Sequence, residues 1–336
     1  MLMKLRVILY WAGSLGTLFI IQWVFPPAAH NRENPNNSSQ QEQILPTTFL
    51  TYSSEEPSYG ILVEKQSQKL YLYKINGKVS LIKTYFCSTG QRDGNKKESG
   101  DHRTPEGIYY FSKILEGDQL PSKYGIMAFV IDYPNFFDRL ENRNGYGIWL
   151  HAADEPNRAL FPNDTKGCVV VQNEDIIELS RYIKLNNTPV VIVQEASYAH
   201  SKTLSTIGKS LDQFVNDWKS AWENKDIDAY MTFYSKQFKS QKMNWQQWRR
   251  YKTNLNNNYK WIRVKVENLN IVWYNTQAII TFTQNYSSNS HSDIGKKYLY
   301  VHKEKEKLKI IGEEWRSQQT FLAQDENRGE NTHGGR

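Results

Sequence analysis

The amino-acid sequence predicts a mainly β domain followed by an α+β domain shaped like a cone, with a membrane helix at the N-terminus. Three observations predict this arrangement. Short apolar runs separated by turn residues dominate residues 59–195, large apolar residues at helical spacing begin near Leu211, and an uncharged apolar run occupies residues 7–25. The length of 336 residues is sufficient for two ordinary domains.

The N-terminal segment is predicted to direct the chain across a membrane. Lys4 and Arg6 precede residues 7–25, which as a helix would span about 28 Å, close to the roughly 30 Å hydrocarbon core of a bilayer. Because the basic residues come first, the rest of the chain is placed outside the cytoplasm. Residues 25–29 lack a clean cleavage site, which favours a signal anchor over a signal peptide; a buried core helix is the other alternative. We expect a cell-envelope protein on the periplasmic or extracytoplasmic side, anchored or secreted.

Composition divides the remaining chain into segments. Residues 26–58 are rich in Asn, Gln, Ser, Pro and Glu, which predicts a flexible linker. Residues 59–195 form the first predicted domain and residues 208–317 the second. A polar, small-residue stretch at 196–207 predicts a linker between them, and residues 318–336 predict a disordered tail.

The first domain is predicted to be a β-sandwich or a barrel-like sheet. Asn76-Gly77 lies between two apolar runs and indicates a hairpin. Asn173 is the predicted N-cap of one helix with an apolar face extending to Ile183. One helix among short strands is typical of a β-rich fold. Further strands are predicted at residues 107–111, 148–150, 168–171 and 189–193.

The second domain is predicted to contain three helices and then an antiparallel sheet. Apolar residues recur at helical spacing from Leu211 to Trp222. Asp226 is the predicted N-cap of a second helix extending to Phe238, and Asn244 that of a third. Strands are predicted at residues 261–266, 271–274, 278–282, 298–301 and 308–311.

The charge balance restricts the classes of partner. A net charge of +7 suits nucleic acid or an anionic surface such as a membrane or cell wall. The most basic stretch, residues 303–309, alternates in sign (KEKEKLK), and no Lys/Arg cluster is interleaved with stacking aromatic residues, so we expect no nucleic-acid partner. The histidines show no metal-ligand spacing, so neither a metal nor another cofactor is expected.

The strongest chemical signal is a histidine and a cysteine at the ends of two predicted strands. His151 ends one apolar run, and Cys168 begins the next directly after Gly167. A neighbouring imidazole can accept the thiol proton and later donate it to a leaving amine. Gly167 allows a tight turn and a close approach of backbone N–H groups to an oxyanion. A lone cysteine beside valines is more often a core residue, but the combination favours Cys168 as nucleophile and His151 as general base and acid.

These residues resemble the signature of a known family. His151, a spacer and the sequence T-K-G-C at residues 165–168 are similar to the His-spacer-[Ser/Thr]-x-Gly-Cys signature of L,D-transpeptidase catalytic (YkuD-type) domains. S-T-G at residues 88–90 and T-P-E-G at 104–107 resemble two further elements of that family. The resemblance implies an L,D-transpeptidase-like β-sandwich that acts on peptidoglycan stem tetrapeptides. Cys168 would attack the carbonyl before the terminal D-alanine, and a thioester would form.

The chain departs from the family pattern at two positions. Ala152 stands where most members have Gly, and Val170 stands where many have Arg. The G-C-V-V-V sequence and the second domain resemble a subgroup of cell-shape envelope proteins that carry a nuclear transport factor 2-like domain and include L,D-carboxypeptidases. Three alternatives are therefore open: transfer of the acyl group to an amine, hydrolysis to a tripeptide by an L,D-carboxypeptidase, and a non-catalytic envelope scaffold.

Five further residues are candidates for contact with the substrate: Thr165, Lys166, Trp149, Arg103 and Tyr124. Of these, Arg103 and Lys166 could bind a substrate carboxylate because their side chains are cationic.

Other features have a structural interpretation beside a functional one. Cys87 is interpreted as a core thiol, because a disulfide with Cys168 would block the nucleophile. Asp154 and Asp164 are alternatives for the group that orients His151, and the resemblance implies that a backbone carbonyl can take that role. For the second domain we expect mostly core tryptophans, with a glycan or peptide pocket or a homodimer interface as further alternatives.

Overall fold

The computed structural model describes residues 43–52, 57–155, 157–240 and 243–317. The predicted membrane helix and the predicted C-terminal tail lie outside these residues. Within them, no helix combines the length and apolarity that a membrane crossing needs.

The first half of the chain is built mainly from strands. Its elements in chain order are β1 (Ile44–Pro46), β2 (Phe49–Tyr52), β3 (Ser58–Glu64), β4 (Lys69–Ile75), β5 (Val79–Phe86), β6 (Gly107–Glu116), β7 (Met127–Ile131), α1 (Phe136–Leu140), β8 (Trp149–His151), β9 (Val169–Val170), α2 (Asn173–Ser180) and β10 (Pro189–Val193). Hairpin β4–β5 is confirmed, with Gly77 at φ +65° in its turn. Helix α2 begins one residue earlier than predicted, because Gln172 rather than Asn173 is the N-cap.

Eight of these strands form one strongly curved sheet in the order β5-β4-β3-β10-β6-β7-β8-β9. The pairs β3–β10 and β8–β9 are parallel, and the other pairs are antiparallel. The chain beyond β5 returns to the far edge of the sheet, where Ser88 and Val170 exchange two backbone hydrogen bonds of 2.9 Å. Gly90 forms a further bridge to Thr165. The barrel-like alternative of the prediction therefore describes this sheet well.

The second half of the chain is an α+β domain. Its elements are β11 (Tyr198–His200), α3 (Ser201–Glu223), α4 (Ile227–Thr232), β12 (Tyr234–Ser240), β13 (Met243–Asn244), α5 (Trp245–Asn258), β14 (Ile262–Tyr274), β15 (Gln277–Ser288), β16 (Ser292–Glu304) and β17 (Lys307–Ser317). The sheet order is β13-β12-β17-β16-β15-β14-β2, and the helices contribute Trp218, Trp222 and Trp248 to its core. The predicted caps at Asp226 and Asn244 are confirmed.

The predicted second helix is wrong in its C-terminal half. Helix α4 ends at Thr232, and Tyr234 begins strand β12, which pairs in parallel with β17. Tyr234 and Phe238 are both buried. A spacing of four residues places side chains on one face of either a helix or a strand, so the sequence pattern could not separate the two.

The two predicted linkers are partly ordered. Strand β1 pairs with β11, and β2 joins the edge of the second domain's sheet beside β14. Phe49 within the first predicted linker is 1% exposed, and Leu204 within the second is buried in α3. Composition averaged over a polar segment hides single apolar residues of this kind, and tertiary packing then decides the structure.

A shared apolar layer joins the two sheets. It combines one face of the first sheet with residues of β2 and of strands β14–β17. The ring of Phe136 stacks on Tyr300 at 4.5 Å between centroids, and Gly312 leaves the space that Phe136 occupies. The layer comprises Phe49, Leu62, Tyr73, Ile75, Val79, Ile108, Tyr110, Phe137, Val191, Val193, Val272, Ile279, Tyr298, Tyr300 and Ile311.

We predict that Phe49→Ala destabilises both domains together. The ring of Phe49 lies against Gly60 and Tyr73, so its removal leaves a cavity that should cost about 3–5 kcal/mol. Chemical denaturation followed by tryptophan fluorescence measures this change. Ile44→Ala, at a side chain that is 62% exposed, is the control and should change stability by less than about 0.5 kcal/mol. Equal effects of the two substitutions would contradict the prediction.

Candidate active site

Parallel pairing of β8 with β9 places His151 and Cys168 on the same face of the first sheet. The register matches His151 with Val170 and Leu150 with Val169. Because side chains alternate along a strand, Leu150 and Val169 enter the domain core, whereas His151 and the residue preceding β9, Cys168, face the opposite side. The structure thus places the two residues that the sequence analysis selected on adjacent strands and on one face of the sheet.

A tight turn presents Cys168. Gly167 has φ +128°, and a Cβ atom there would lie 2.8 Å from the carbonyl oxygen of Arg103. Thr165 is buried, and its hydroxyl accepts a hydrogen bond from the Gly167 amide at 3.0 Å and donates to the Cys168 carbonyl at 2.7 Å. The Gly167 amide is therefore used to form the turn, and only glycine fits its backbone conformation.

The two upstream motifs support this turn. Thr165 donates its amide to the Thr89 carbonyl at 2.9 Å, within the S-T-G sequence. Gly90 in turn donates to the hydroxyl of Thr104 at 2.8 Å, and a Cβ on Gly90 would lie 2.5 Å from the His102 carbonyl. The four sequence elements that carried the family resemblance are consequently one connected hydrogen-bonded unit around the cysteine.

The imidazole of His151 is buried and oriented by backbone. Its Nδ1 atom contacts the carbonyl oxygen of Ala152. A carbonyl only accepts hydrogen bonds, so Nδ1 carries the proton and Nε2 is the basic nitrogen. The ring of Tyr124 packs edge-on at 5.0 Å and also contacts Trp149 at 4.6 Å. Burial lowers the pKa of His151 to about 4, opposed by the Ala152 carbonyl and assisted by the positive charge of Arg158.

The thiol of Cys168 is half-buried between two backbone groups. Its Sγ atom lies 3.5 Å from the Gly147 carbonyl oxygen, to which the thiol donates a hydrogen bond. The backbone amide of Trp149 donates a hydrogen bond to the sulfur. Burial raises the pKa of the Cys168 thiol to about 11, opposed by the Trp149 amide and by the charges of Arg158 and Lys96. At pH 7 both the thiol and the imidazole are therefore neutral in this structure.

The remaining predicted site residues are distributed around this pair. Arg103 is half-buried and contributes its carbonyl to the packing of Gly167, while its Nε atom is buried without a partner among the described residues. Lys166 is exposed on the turn. Asp164 bonds to Arg158 rather than to His151, so the described orienting group of the imidazole is the Ala152 carbonyl.

Cys87 occupies the core of the first domain. It is 1% exposed and unbonded to Cys168, and burial raises the pKa of its thiol. The interpretation of Cys87 as a core thiol is confirmed.

Sequence reasoning missed three contributors to the site. Arg158 and Lys96 act on the thiol through their charge, and Gly147 supplies a carbonyl. Gly147 lies in N-G-Y-G, a turn-like sequence that could have indicated an unusual backbone conformation, and its φ is +73°. Arg158 and Lys96 lie in segments whose sequence is typical of ordinary surface loops. Nothing near them in the sequence indicates that their charges act on the thiol.

The second domain contains a separate cavity of about 360 Å³ at the open end of its cone. Lys252 lies in its wall, with Nζ 3.9 Å from the ring centroid of Trp222, and burial lowers the pKa of Lys252 to about 7. Four buried polar atoms of residues that line this cavity have no partner among the described residues: Trp222 Nε1, Trp248 Nε1, Gln284 Oε1 and Asp293 Oδ1. Unpaired buried polar atoms are costly, so their convergence on one cavity is typical of a ligand site.

Comparisons with known proteins identify the family. Residues 58–192 match the L,D-transpeptidase catalytic domain family (YkuD), and residues 210–314 match a C-terminal NTF2-like domain family named after Cds6. The chain belongs to the L,D-transpeptidase (YkuD) family, in the group with a C-terminal NTF2-like domain.

Two solved structures share both domains. Bd1075 of Bdellovibrio bacteriovorus is 38% identical, with 82% of this chain and 99% of that chain covered and a TM-score of 0.73. The helical cell shape determining protein Pgp2 of Campylobacter jejuni is 24% identical, covers 80% of this chain and 94% of its own, and has a TM-score of 0.65, which shows a common fold. A comparison with curated proteins gave no match.

We predict that alkylation of Cys168 by iodoacetamide rises steeply with pH. The thiolate is the reactive form, and with a thiol pKa of about 11 its fraction grows roughly tenfold per pH unit between pH 7 and 10. Labelling kinetics followed by intact-mass spectrometry measure the profile, and Cys168→Ala should abolish the label because Cys87 is buried. A rate that is already constant below pH 8 would instead indicate a preformed thiolate–imidazolium pair.

Proposed function

We propose that the protein is a cysteine-dependent acyltransferase that acts on peptidoglycan stem tetrapeptides and attacks the bond before the terminal D-alanine. The observation that carries this proposal is the hydrogen-bonded unit that holds Cys168 on one sheet face with His151, assembled from all four family motifs. Membership of the L,D-transpeptidase family supports the substrate class.

The proposed reaction starts from the neutral thiol and imidazole. As the sulfur of Cys168 attacks the carbonyl carbon, Nε2 of His151 accepts the thiol proton, because Nδ1 is directed to the Ala152 carbonyl. Collapse of the tetrahedral intermediate breaks the C–N bond, and the imidazolium donates its proton to the departing amine of D-alanine. A thioester on Cys168 remains. The low pKa of His151 favours this return of the proton, because a buried imidazolium is costly.

The second half-reaction requires an acceptor. We propose an amine as acceptor, which yields a cross-link; the second candidate is water, which yields a tripeptide and makes the protein an L,D-carboxypeptidase. The second candidate is supported by Val170, which stands where many family members carry Arg. A buried valine instead of an arginine removes a positive charge from the surroundings of the thioester. The fold shared with Pgp2, a helical cell shape determining protein, supports a role in cell shape.

We further propose that the protein works in the cell envelope, on the extracytoplasmic side, where peptidoglycan is located. The uncharged residues 7–25 behind Lys4 and Arg6 support anchoring by an N-terminal segment.

The cavity of the NTF2-like domain supports a second, non-catalytic role. We propose that it binds a fragment of the wall, since Lys252 offers a positive charge and the unpaired atoms of Gln284 and Asp293 offer acceptors for hydroxyl or amide donors. The aromatic rings of Trp222 and Trp248 provide flat apolar walls of the kind that sugars pack against.

We predict that Cys168→Ala abolishes release of D-alanine from disaccharide-tetrapeptide. His151→Gln should reduce the rate by about 10²–10⁴-fold, because the general base is lost. Mass spectrometry of the products, with circular dichroism as the fold check, measures both effects and identifies the acceptor: tripeptide alone indicates hydrolysis, and new 3–3 dimers indicate cross-linking. Cys87→Ala is the matched thiol control and should retain activity. Undiminished D-alanine release by Cys168→Ala would refute the proposed nucleophile.

We also predict that Lys252→Met weakens binding of the same muropeptide to the Cys168→Ala protein. With its pKa near 7, Lys252 loses its charge as the pH rises, so binding of an anionic ligand should weaken from pH 6 to pH 9. Calorimetric titration measures both effects. Lys260→Met, at an exposed lysine outside the cavity, is the control. Affinity that does not respond to pH or to Lys252→Met would exclude this cavity as the site.

A further inference from the structure

The loop between β8 and β9 carries an arginine to the edge of the active site. A short 3₁₀ turn, Arg158–Leu160, follows Asn157, which has a left-handed backbone conformation. The next residue, Ala159, is 2% exposed and packs in one small cluster with Ala153 and Val170. Since Val170 is opposite His151 in the β8–β9 pairing, this turn lies directly on the strands that position the nucleophile and the base.

The side chain of Arg158 is held by the same structure that holds Cys168. Its Nε atom donates to Asp164 Oδ2 at 2.7 Å. Asp164 is fixed in turn, because its amide donates to the hydroxyl of Ser88 at 3.0 Å and it directly precedes Thr165 of the cysteine turn. The guanidinium is thus anchored at one end.

The other end of the guanidinium is free among the described residues. An arginine has five N–H donors, and the bond to Asp164 uses only that of Nε. No described residue accepts a hydrogen bond from Nη1 or Nη2, and the side chain is 26% exposed. An arginine with both terminal amino groups free can bind a carboxylate through two parallel hydrogen bonds.

Arg158 is well placed for this role. Its positive charge acts on both Cys168 and His151. Lys96 also acts on the thiol, but its side chain is buried and two of its three N–H donors already bond to the Glu98 carbonyl and to Asp101. Lys166 is exposed on the outer side of the turn.

Strand β9 offers no cation of its own for binding a carboxylate, because residue 170 is a valine. Val170 is fully buried against Ala153 and Ala159, a space that admits no guanidinium. The apolar contact that Val170 makes is instead what seats the turn bearing Arg158.

We propose that Arg158, oriented by Asp164, binds the terminal carboxylate of the tetrapeptide substrate. This inference rests on the proposed function, whose scissile bond lies one residue before that carboxylate. No covalent step involves Arg158. The contact between Arg158 and the carboxylate makes substrate binding specific. A tetrapeptide with a free terminal carboxylate is bound, whereas one whose terminal D-alanine is blocked as an amide is not.

The test compares two peptides on a protein that cannot turn them over. In a Cys168→Ala protein that also carries Lys252→Met, so that the cavity of the NTF2-like domain lacks its cation, calorimetry measures the affinity for a stem tetrapeptide and for the same peptide with a C-terminal amide. We expect the free acid to bind at least about tenfold more tightly, as charged hydrogen bonds of this kind predict. Adding Arg158→Gln should weaken binding of the free acid alone and bring the ratio of the two affinities close to one. Arg158→Lys should restore part of it.

Controls separate a binding role from a structural one. Arg181→Gln, at an exposed arginine beyond α2, should leave the ratio unchanged. Equal weakening of both peptides by Arg158→Gln would show that Arg158 supports only the loop and would overturn the proposal. So would an unchanged ratio in that variant, or no preference for the acid in the parent protein.

Failure of the proposed function can be distinguished from failure of the role proposed for Arg158. If the Cys168→Ala protein prefers the free acid through Arg158 but the intact protein releases no D-alanine, the carboxylate site stands and the proposed reaction falls. If the intact protein releases D-alanine from the acid and D-alaninamide from the amide at equal rates, the reaction stands and the role of Arg158 falls.

Discussion

Two backbone hydrogen bonds between Ser88 and Val170 are the contact on which the active site depends. Strand β9 is only two residues long and lies at the edge of its sheet, so pairing with β8 alone gives it little support. The return of the chain beyond β5 supplies a second neighbour and closes the sheet. Cys168 then leaves a strand that is held on both sides, and the turn before it is fixed by Thr89 and Thr104.

A consequence of this construction is that the site is rigid before a substrate arrives. The imidazole orientation, the turn at Gly167 and the carbonyl beside the thiol are all determined by backbone, which moves less than side chains do. The same enclosure excludes water from the thiol and the imidazole and keeps both neutral, so in the mechanism that we propose the thiol is not ionised before the substrate binds.

The sequence predicted the order of the two domains, most strands and the placement of His151 and Cys168 at the ends of two strands, because these features depend on local patterns and on spacing. It failed where one pattern fits two structures, as in β12, and where few apolar residues lie in polar segments, as with Phe49 and Leu204. The polar partners of the site could not be predicted from the sequence for another reason. The Gly147 carbonyl and the charge of Arg158 reach Cys168 only through folding, and nothing beside them in the chain indicates it.

The apolar layer shared by the two sheets bears on how such a protein can change over generations. Tyr298, Tyr300 and Ile311 of the NTF2-like domain are packed with Leu62, Ile108 and Val191 of the catalytic domain, so neither surface is free to vary alone. An exchange of either domain between relatives would have to carry a matching set of residues on the other. The two halves are therefore constrained to vary together, and their shared packing fixes the separation between the thiol of Cys168 and the cavity of the NTF2-like domain.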